Sequence, residues 1–380
     1  MKIKLWIFID WYLPAYKAGG PIQSIANLVS RLKTEFDISV ITSNTDLGEI
    51  INIPSEQLNV WVEKEGYKVM YLDAKHQNRQ FYTELFKTHS FDVVYFNSLF
   101  SVKYTLLPFW LLRNKPIRRV LATRGMLGAG ALAIKPLKKK VFLSLFKCFS
   151  LHKKVFWHAT AQSEIDEIKL HFGEARNILL APNLSAISKD VYSKKIKEDH
   201  KINVFFLSRI SFKKNLIGAL EALSKVSSKY TVRFNIIGPI DDENYWKKCE
   251  AQINALPKHI LVNYLGAIPN DQLSLTLKEE HVLLLPTFHE NFGHVIMESW
   301  QNGCPVIISD QTPWRNLENE KLGYDMSNSN AIGFTTAIEH FCKMEDDEYN
   351  QWSKSAFEFA KGFIENPKVL EQNKSLFLNA

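Results

Sequence analysis

Between residues 93 and 163 the chain has no Asp or Glu, although 13 Lys and Arg fall there. The other residues carry 34 basic and 40 acidic side chains, so the formal net charge of +7 is a local excess in the first half. A polycation charged along its whole length is therefore excluded. Long apolar runs are also missing. The longest, 104–112, contains Pro108 and is about half of the ~20 residues that a membrane span requires. The opening MKIKLWIFIDWYLP has a brief apolar run that ends at Asp10, which reads as a first buried strand rather than a signal peptide. Only four cysteines occur (Cys148, Cys249, Cys304, Cys342), scattered without metal-ligand spacing. That excludes a zinc module or a disulfide framework and leads us to expect reduced thiols in a cytoplasm. There is no internal repeat, no low-complexity run and no G-x-G-x-x-G.

What is present is the composition of a folded globular chain, 46% hydrophobic and 23% charged over 380 residues, long enough for two domains with separate cores. Short apolar strands are predicted over 4–9, 38–42, 68–72, 93–96, 119–122 and 155–160, mostly separated by helical patterns. The alternation restarts after Ala181-Pro182-Asn183, with strands over 202–207, 232–237, 260–264, 282–285 and 305–308. This is doubly wound α/β. The polar stretch between Asn183 and Lys201 marks the boundary, giving domains over 1–183 and 184–362 and a terminal helical segment over 363–380. Asn366-Pro367 breaks the helical patterns of the tail.

The stretch VLLLPTFHENFGHVIMESWQNGCPVIISD, residues 282–310, is the most informative. Its four opening apolar residues suit a strand buried on both faces, and Pro286 ends it. Phe292, Val295, Ile296, Ser299 and Trp300 then recur at helical spacing until Gly303. The loop between them lies at the carboxyl end of a parallel strand, where open α/β sheets bind ligands. Glu290 precedes the helix, and Glu298 stands in its second turn. Gly293 lies at the helix start, where free N–H groups and the positive dipole end favour a phosphate. At roughly 1.5 Å per residue, Glu298 is about 7–8 Å further along, a separation that suits a diphosphate and the ribose hydroxyls of one nucleotide. Two solvated glutamates flanking a helix start are the other reading of these residues alone.

Glu290, Asn291, Phe292, Gly293 and then Glu298 resemble the E-x7-E signature of the retaining GT-B glycosyltransferases, family 4. The resemblance implies two Rossmann-like doubly wound parallel-sheet domains facing a cleft, the first for the acceptor and the second for the nucleotide sugar, with the last helix crossing back to the first domain. It also implies that Glu298 holds the ribose, that Gly293 and Phe292 shape the nucleotide site, and that Glu290 binds and orients the sugar.

Three further βα loops fit the same pattern. Leu207-Ser208-Arg209-Ile210-Ser211-Phe212-Lys213-Lys214-Asn215 puts cations at a strand's carboxyl end, suited to a diphosphate leaving group. It resembles the family's R-x4-K element, which assigns Arg209 and Lys214 to the diphosphate; Lys213 is the competing lysine. Gly19-Gly20 precedes a helix and leaves room for close backbone approach; it resembles the family's glycine loop, although a simple turn fits equally. Arg124, in Thr123-Arg124-Gly125-Met126, stands where many members have His, and an Arg donates hydrogen bonds but exchanges no proton.

Among the other polar residues, His158 reads as a packed histidine inside a strand, His289 as a loop residue near the sugar, and His294 as a neighbour that caps or orients Glu298. Thr312 and Trp314 stand on the loop after the last of these strands, where family members carry a donor-side Pro loop. Asp241-Asp242-Glu243 looks superficially like a D-x-D metal site but reads as an acidic helix start. The resemblance implies that no metal or cofactor is needed, since in GT-B enzymes the Arg/Lys pair and the helix dipole offset the leaving group's charge.

The function implied by the resemblance is retaining transfer of a hexosyl unit from a UDP- or GDP-sugar to a glycan or polyprenyl-diphosphate-linked acceptor in cell-surface polysaccharide synthesis. A GT-B sugar-nucleotide epimerase and a basic nucleic-acid-binding protein are the alternatives. In the acid-free region, Arg113, Lys115, Arg118, Arg119, Lys135, Lys138, Lys139 and Lys140 interleave with Phe109, Trp110, Leu111, Val141, Phe142, Leu145, Phe146 and Phe149. Such a face suits an anionic membrane better than nucleic acid. The expected location is the cytoplasm, peripheral on the inner face of the cytoplasmic membrane.

Overall fold

The computed structural model of the chain describes residues 2–133, 135–174, 177–187 and 191–378. Residues 188–190 of the polar connection therefore lie outside the described residues. The chain forms two compact units, Met1–Ala186 with Asn366–Ala380, and Ile187–Glu365.

The first unit is built on strands β1 (Lys4–Phe8), β2 (Asp37–Ser43), a small ribbon of β3 (Thr45–Asp46) and β4 (Glu49–Ile50), β5 (Trp61–Lys64), β6 (Tyr67–Leu72), β7 (Val93–Phe96), β8 (Arg118–Ala122), β9 (Phe156–Ala159) and β10 (Ile178–Leu180). The main sheet runs β10-β9-β8-β7-β1-β2-β6-β5. All pairs are parallel except β5 on β6. The central strands β1 and β7 are short apolar runs because both sheet faces are buried, alternate residues entering two separate core clusters, which leaves no solvent side to alternate with. The helix Pro367–Ser375 and the residues after it belong to this unit. Arg118 Nε donates to the Leu376 carbonyl (2.8 Å), and the Phe377 ring meets Phe36 and Tyr95 edge-on.

The second unit holds β11 (Lys201–Leu207), β12 (Thr231–Ile237), β13 (Ile260–Gly266), β14 (Val282–Leu285), β15 (Val306–Ser309) and β16 (Gly323–Met326). Its sheet, β13-β12-β11-β14-β15-β16, is parallel throughout. Every residue of β14 and β15 is buried. Numbered within the unit, the order is that of a dinucleotide-binding sheet. It reverses between β11 and β14, where the chain leaves the first three strands and crosses to the other side. No helix among the described residues is long and apolar enough to cross a membrane.

Candidate active site

The reversal of strand order makes β11 and β14 neighbours, and the loops that leave their carboxyl ends are tied to each other. Asn215 sits in the left-handed region (φ 57°). From there its side chain accepts from the Gly218 N–H, capping the helix Leu216–Ser224, while its Nδ2 donates to the Pro286 carbonyl (2.9 Å) just past β14. The Phe288 N–H and the Thr287 hydroxyl both donate to the Lys213 carbonyl. These bonds fix the register of one loop on the other. They leave the Lys213 side chain exposed and turn that of Lys214 inward.

The consequence is an ion pair, Lys214 Nζ to Glu290 Oε2 at 2.5 Å, with 11% and 14% of the two side chains exposed. Burial alone pushes the Glu290 carboxyl up; the charge and hydrogen bond of Lys214 overrule it, and the carboxyl ends below its ordinary value. The Glu290 backbone is held from a third loop, where the Gln311 carbonyl accepts its N–H at 2.8 Å. Of the two neighbouring lysines, Lys214 is the one paired with Glu290.

Gly293 adopts φ 79°, ψ 63° and is the residue before the helix His294–Gln301. The helix begins later than its apolar spacing indicates. Phe292 falls at helical spacing, yet it is a core residue held outside the helix. Its ring meets Trp314 and Phe363, and the Trp314 indole donates to its carbonyl (2.6 Å). Trp314, expected on the donor side, packs against Trp300 and Phe359, and Thr312 is buried with its hydroxyl accepting from the Trp314 N–H. His294 is buried edge-on against Phe292.

Glu298 lies in the second turn, half-buried, with Asn270 Nδ2 at 3.4 Å. Asn270 opens the helix Asn270–Leu277 after β13, so Glu298 faces the carboxyl end of that strand. Burial pushes its carboxyl up to about 7, only partly opposed by the Asn270 bond. Arg209, on the β11 loop, is half-buried and paired with Asp241 (2.9 Å), which follows β12. Asp242, beside it, accepts from the Tyr245 N–H as the cap of the helix Glu243–Asn254, as an acidic helix start should. The loops after β11, β12, β13, β14 and β15 thus bring Arg209, Lys214, Glu290, Gly293 and Glu298 to one end of one sheet. Asn270 and Gln311, which support them, carry no sequence signal because each comes from a different loop, and Asp241 shows in the sequence only as part of an acidic helix start, not as the partner of Arg209.

The remaining expected residues belong to the first unit. Gly19 (φ 71°) precedes the helix Gly20–Leu32, and a Cβ on either Gly19 or Gly20 would meet nothing within 4 Å. Arg124 is committed to its own unit: Nε donates to Asn97 Oδ1 (2.7 Å), Nη2 to the Tyr95 hydroxyl (2.8 Å), and Nη1 to Asn183 Oδ1. His158 is buried between the Tyr95 hydroxyl and the Ala181 carbonyl. The first sheet also reverses, between β1 and β7. There Ser101 Oγ donates to Asp10 Oδ1 at 2.7 Å, a pair that sequence reading did not single out.

Chemically, the second unit offers a guanidinium, an ammonium and a helix N-terminus for a diphosphate. It also offers one carboxylate that stays ionised beside the ammonium and a second that titrates near neutrality. Residues 188–359 match the family described as glycosyl transferases group 1. The chain is 24% identical over 250 residues to the poly(glycerol-phosphate) alpha-glucosyltransferase of Bacillus subtilis (strain 168), covering 64% of this chain and 35% of that one. It is 27% identical over 238 residues to an uncharacterized 41.2 kDa protein in the cps region of Klebsiella pneumoniae, covering 59% and 62%. The chain thus spans less than two thirds of the length of these curated relatives. Among solved structures, WaaG, a glycosyltransferase involved in lipopolysaccharide biosynthesis, superposes with a TM-score of 0.70 at 14% identity over 100% of both chains. The fold is that of the GT-B proteins, two Rossmann-like parallel-sheet domains.

Proposed function

From a chain whose residues 188–359 match the family described as glycosyl transferases group 1, we propose a retaining glycosyltransferase. It moves a hexosyl unit from a nucleotide-diphosphate sugar to a glycan or lipid-linked acceptor in polysaccharide synthesis. The observation that carries this reading is the Lys214–Glu290 pair, set where the strand order reverses and in the loop that precedes the helix bearing Glu298. Glu298 accepts hydrogen bonds from the ribose hydroxyls. Lys214, Arg209 and the amides at Gly293 stabilise the diphosphate as its charge grows. This offset requires no metal. Glu290, held ionised by Lys214, accepts hydrogen bonds from the sugar hydroxyls and orients the ring. The bond from the anomeric carbon to the diphosphate oxygen breaks. The acceptor oxygen attacks on the same face, and its proton passes to the departing phosphate oxygen. Relatives named for poly(glycerol-phosphate) and lipopolysaccharide support a polymer or lipid-linked acceptor.

Proton NMR of UDP- and GDP-hexoses with the enzyme tests the reaction type. Slow release of free nucleoside diphosphate and of a sugar that first shows the donor's own anomeric configuration is expected. Inverted sugar would remove the retaining assignment, and conversion of donor alone into a second nucleotide sugar would mark an epimerase instead.

A further inference from the structure

The helix Pro136–Cys148 is apolar on two opposite sides. Its inner side is accounted for: Phe146 and Leu143 are buried, and the Phe146 ring meets Phe109, Trp157 and Phe172. The outer side is not. Leu137, Val141 and Leu145 recur every four residues, one stripe of a helix, and are 79%, 59% and 51% exposed. Phe149 continues the stripe past the helix end at 53% exposure, with its ring edge-on to the exposed Trp110 (5.5 Å). The Arg113 guanidinium lies over the Trp110 ring, 4.0 Å from its centre.

Cations border the stripe. Lys138 stands on one flank and Lys140 on the other, both exposed, while the Lys147 ammonium lies over the inner Phe172 ring, 5.7 Å from its centre. Lys139, by contrast, turns inward and donates to the Ala131 carbonyl at 2.6 Å. Lys153 and Lys154 follow immediately, both exposed. Residues 93–163 supply no acidic side chain to oppose them. An outward aliphatic stripe with a lysine on either flank and further cations beside it is the pattern of a helix that lies in a bilayer interface, with its aliphatic side chains in the acyl boundary and its ammonium groups among anionic headgroups. A nucleic acid would match the charge but would leave Leu137, Val141 and Leu145 in water.

We propose that this face, the outer side of the helix Pro136–Cys148 with Phe149 and Trp110, docks on an anionic phospholipid surface. The proposal is independent of the transfer reaction, and its test uses no donor or acceptor.

Flotation of the full chain with phosphatidylcholine vesicles, with and without phosphatidylglycerol, reads the binding. Attachment is expected only to the anionic vesicles, weakening as salt rises. The L137E/V141E/L145E variant, altered only at exposed positions, is expected to lose about tenfold in partitioning with an unchanged Tm. A second readout covers the case of a poorly folded variant. Cys148 is the exposed cysteine, the other three being buried, so an environment-sensitive thiol dye on it reports this face in the wild type. A blue shift on adding anionic vesicles is expected. Absence of flotation, equal flotation of the triple variant, a dye that stays in water, or retention by duplex DNA but not by vesicles would each overturn the proposal.

Discussion

Lys214 and Glu290 are 76 residues apart in the chain and 2.5 Å apart at the site. The carbonyl of the neighbouring Lys213 anchors the other loop through Phe288 and Thr287, so the pair is set by backbone as well as by charge. Removing one member leaves the other buried without its counter-charge. Lys214→Ala should therefore destabilise the protein by about 3 kcal/mol and weaken binding of nucleoside diphosphates more than of nucleosides. Glu290→Gln should spare free nucleotide binding and impair turnover. A denaturant double-mutant cycle on the two positions should return a coupling of about 2 kcal/mol. Additive effects would show that the pair contributes nothing beyond proximity.

Glu298 carries a pH signature. Its carboxyl, ordinarily at 4.5, is held at about 7 in the fold. Its contribution to stability is thus fully present below 4.5 and lost as pH rises through about 7. Glu298→Gln should accordingly stabilise the ligand-free protein at pH 8 relative to pH 4, by about 1 kcal/mol after allowing for its partial exposure. Nucleotide affinity runs the other way, because only the carboxylate accepts from two ribose hydroxyls, so it should rise with pH through about 7. Calorimetric titration of nucleotide between pH 6 and 8 checks this; a flat profile in wild type would contradict the ribose assignment.

Gly293 tolerates a side chain poorly. Its φ is 79°, and a Cβ would lie 2.7 Å from Ile296 Cδ1 and 3.2 Å from Glu290 Cγ. The Ile296 methyl can shift, but the left-handed backbone and the displaced Glu290 remain. Gly293→Ala should cost about 1–2 kcal/mol of stability and lower kcat more than it raises KM. Unchanged kcat would mean that the helix tip does not position the sugar-side carboxylate.

Arg209 and Asp241 form a more exposed pair, 35% and 28% open to solvent. Such pairs contribute roughly 0–1 kcal/mol to stability, so Asp241→Ala should hardly move Tm. Arg209→Ala should do more to the reaction than to the fold, lowering kcat/KM by about 10²-fold if its guanidinium meets the leaving diphosphate. A loss of Tm equal to that of Lys214→Ala would make Arg209 structural.

Most of the central strands were legible in the sequence, because a strand buried on both faces is a short apolar run with a clear end, as in β1, β7 and β14. The edges were not. Trp61–Lys64 pairs antiparallel at the margin and is at best half-buried, and Gly323–Met326 opens on a glycine, so neither stood out as an apolar run. The glutamates and the two cations were visible because their spacing falls inside single βα loops. The side chains they bond to, Asn270 for Glu298 and Asp241 for Arg209, are 28 and 32 residues away on other loops, and only the sheet order brings them in. Phe292 shows the opposite failure. Its spacing is helical, but its ring is anchored in an aromatic cluster, and the helix starts after the left-handed Gly293.

Thermal unfolding of the wild type and of Glu298→Ala with a panel of UDP-, GDP- and ADP-sugars reaches the central claim directly, since a ligand stabilises by RT ln(1 + [L]/Kd). At least one donor should raise the wild-type Tm in a concentration-dependent way, and the same donor should shift Glu298→Ala far less. A panel that moves neither protein, or one that moves both equally, would contradict a nucleotide-sugar site at this helix tip.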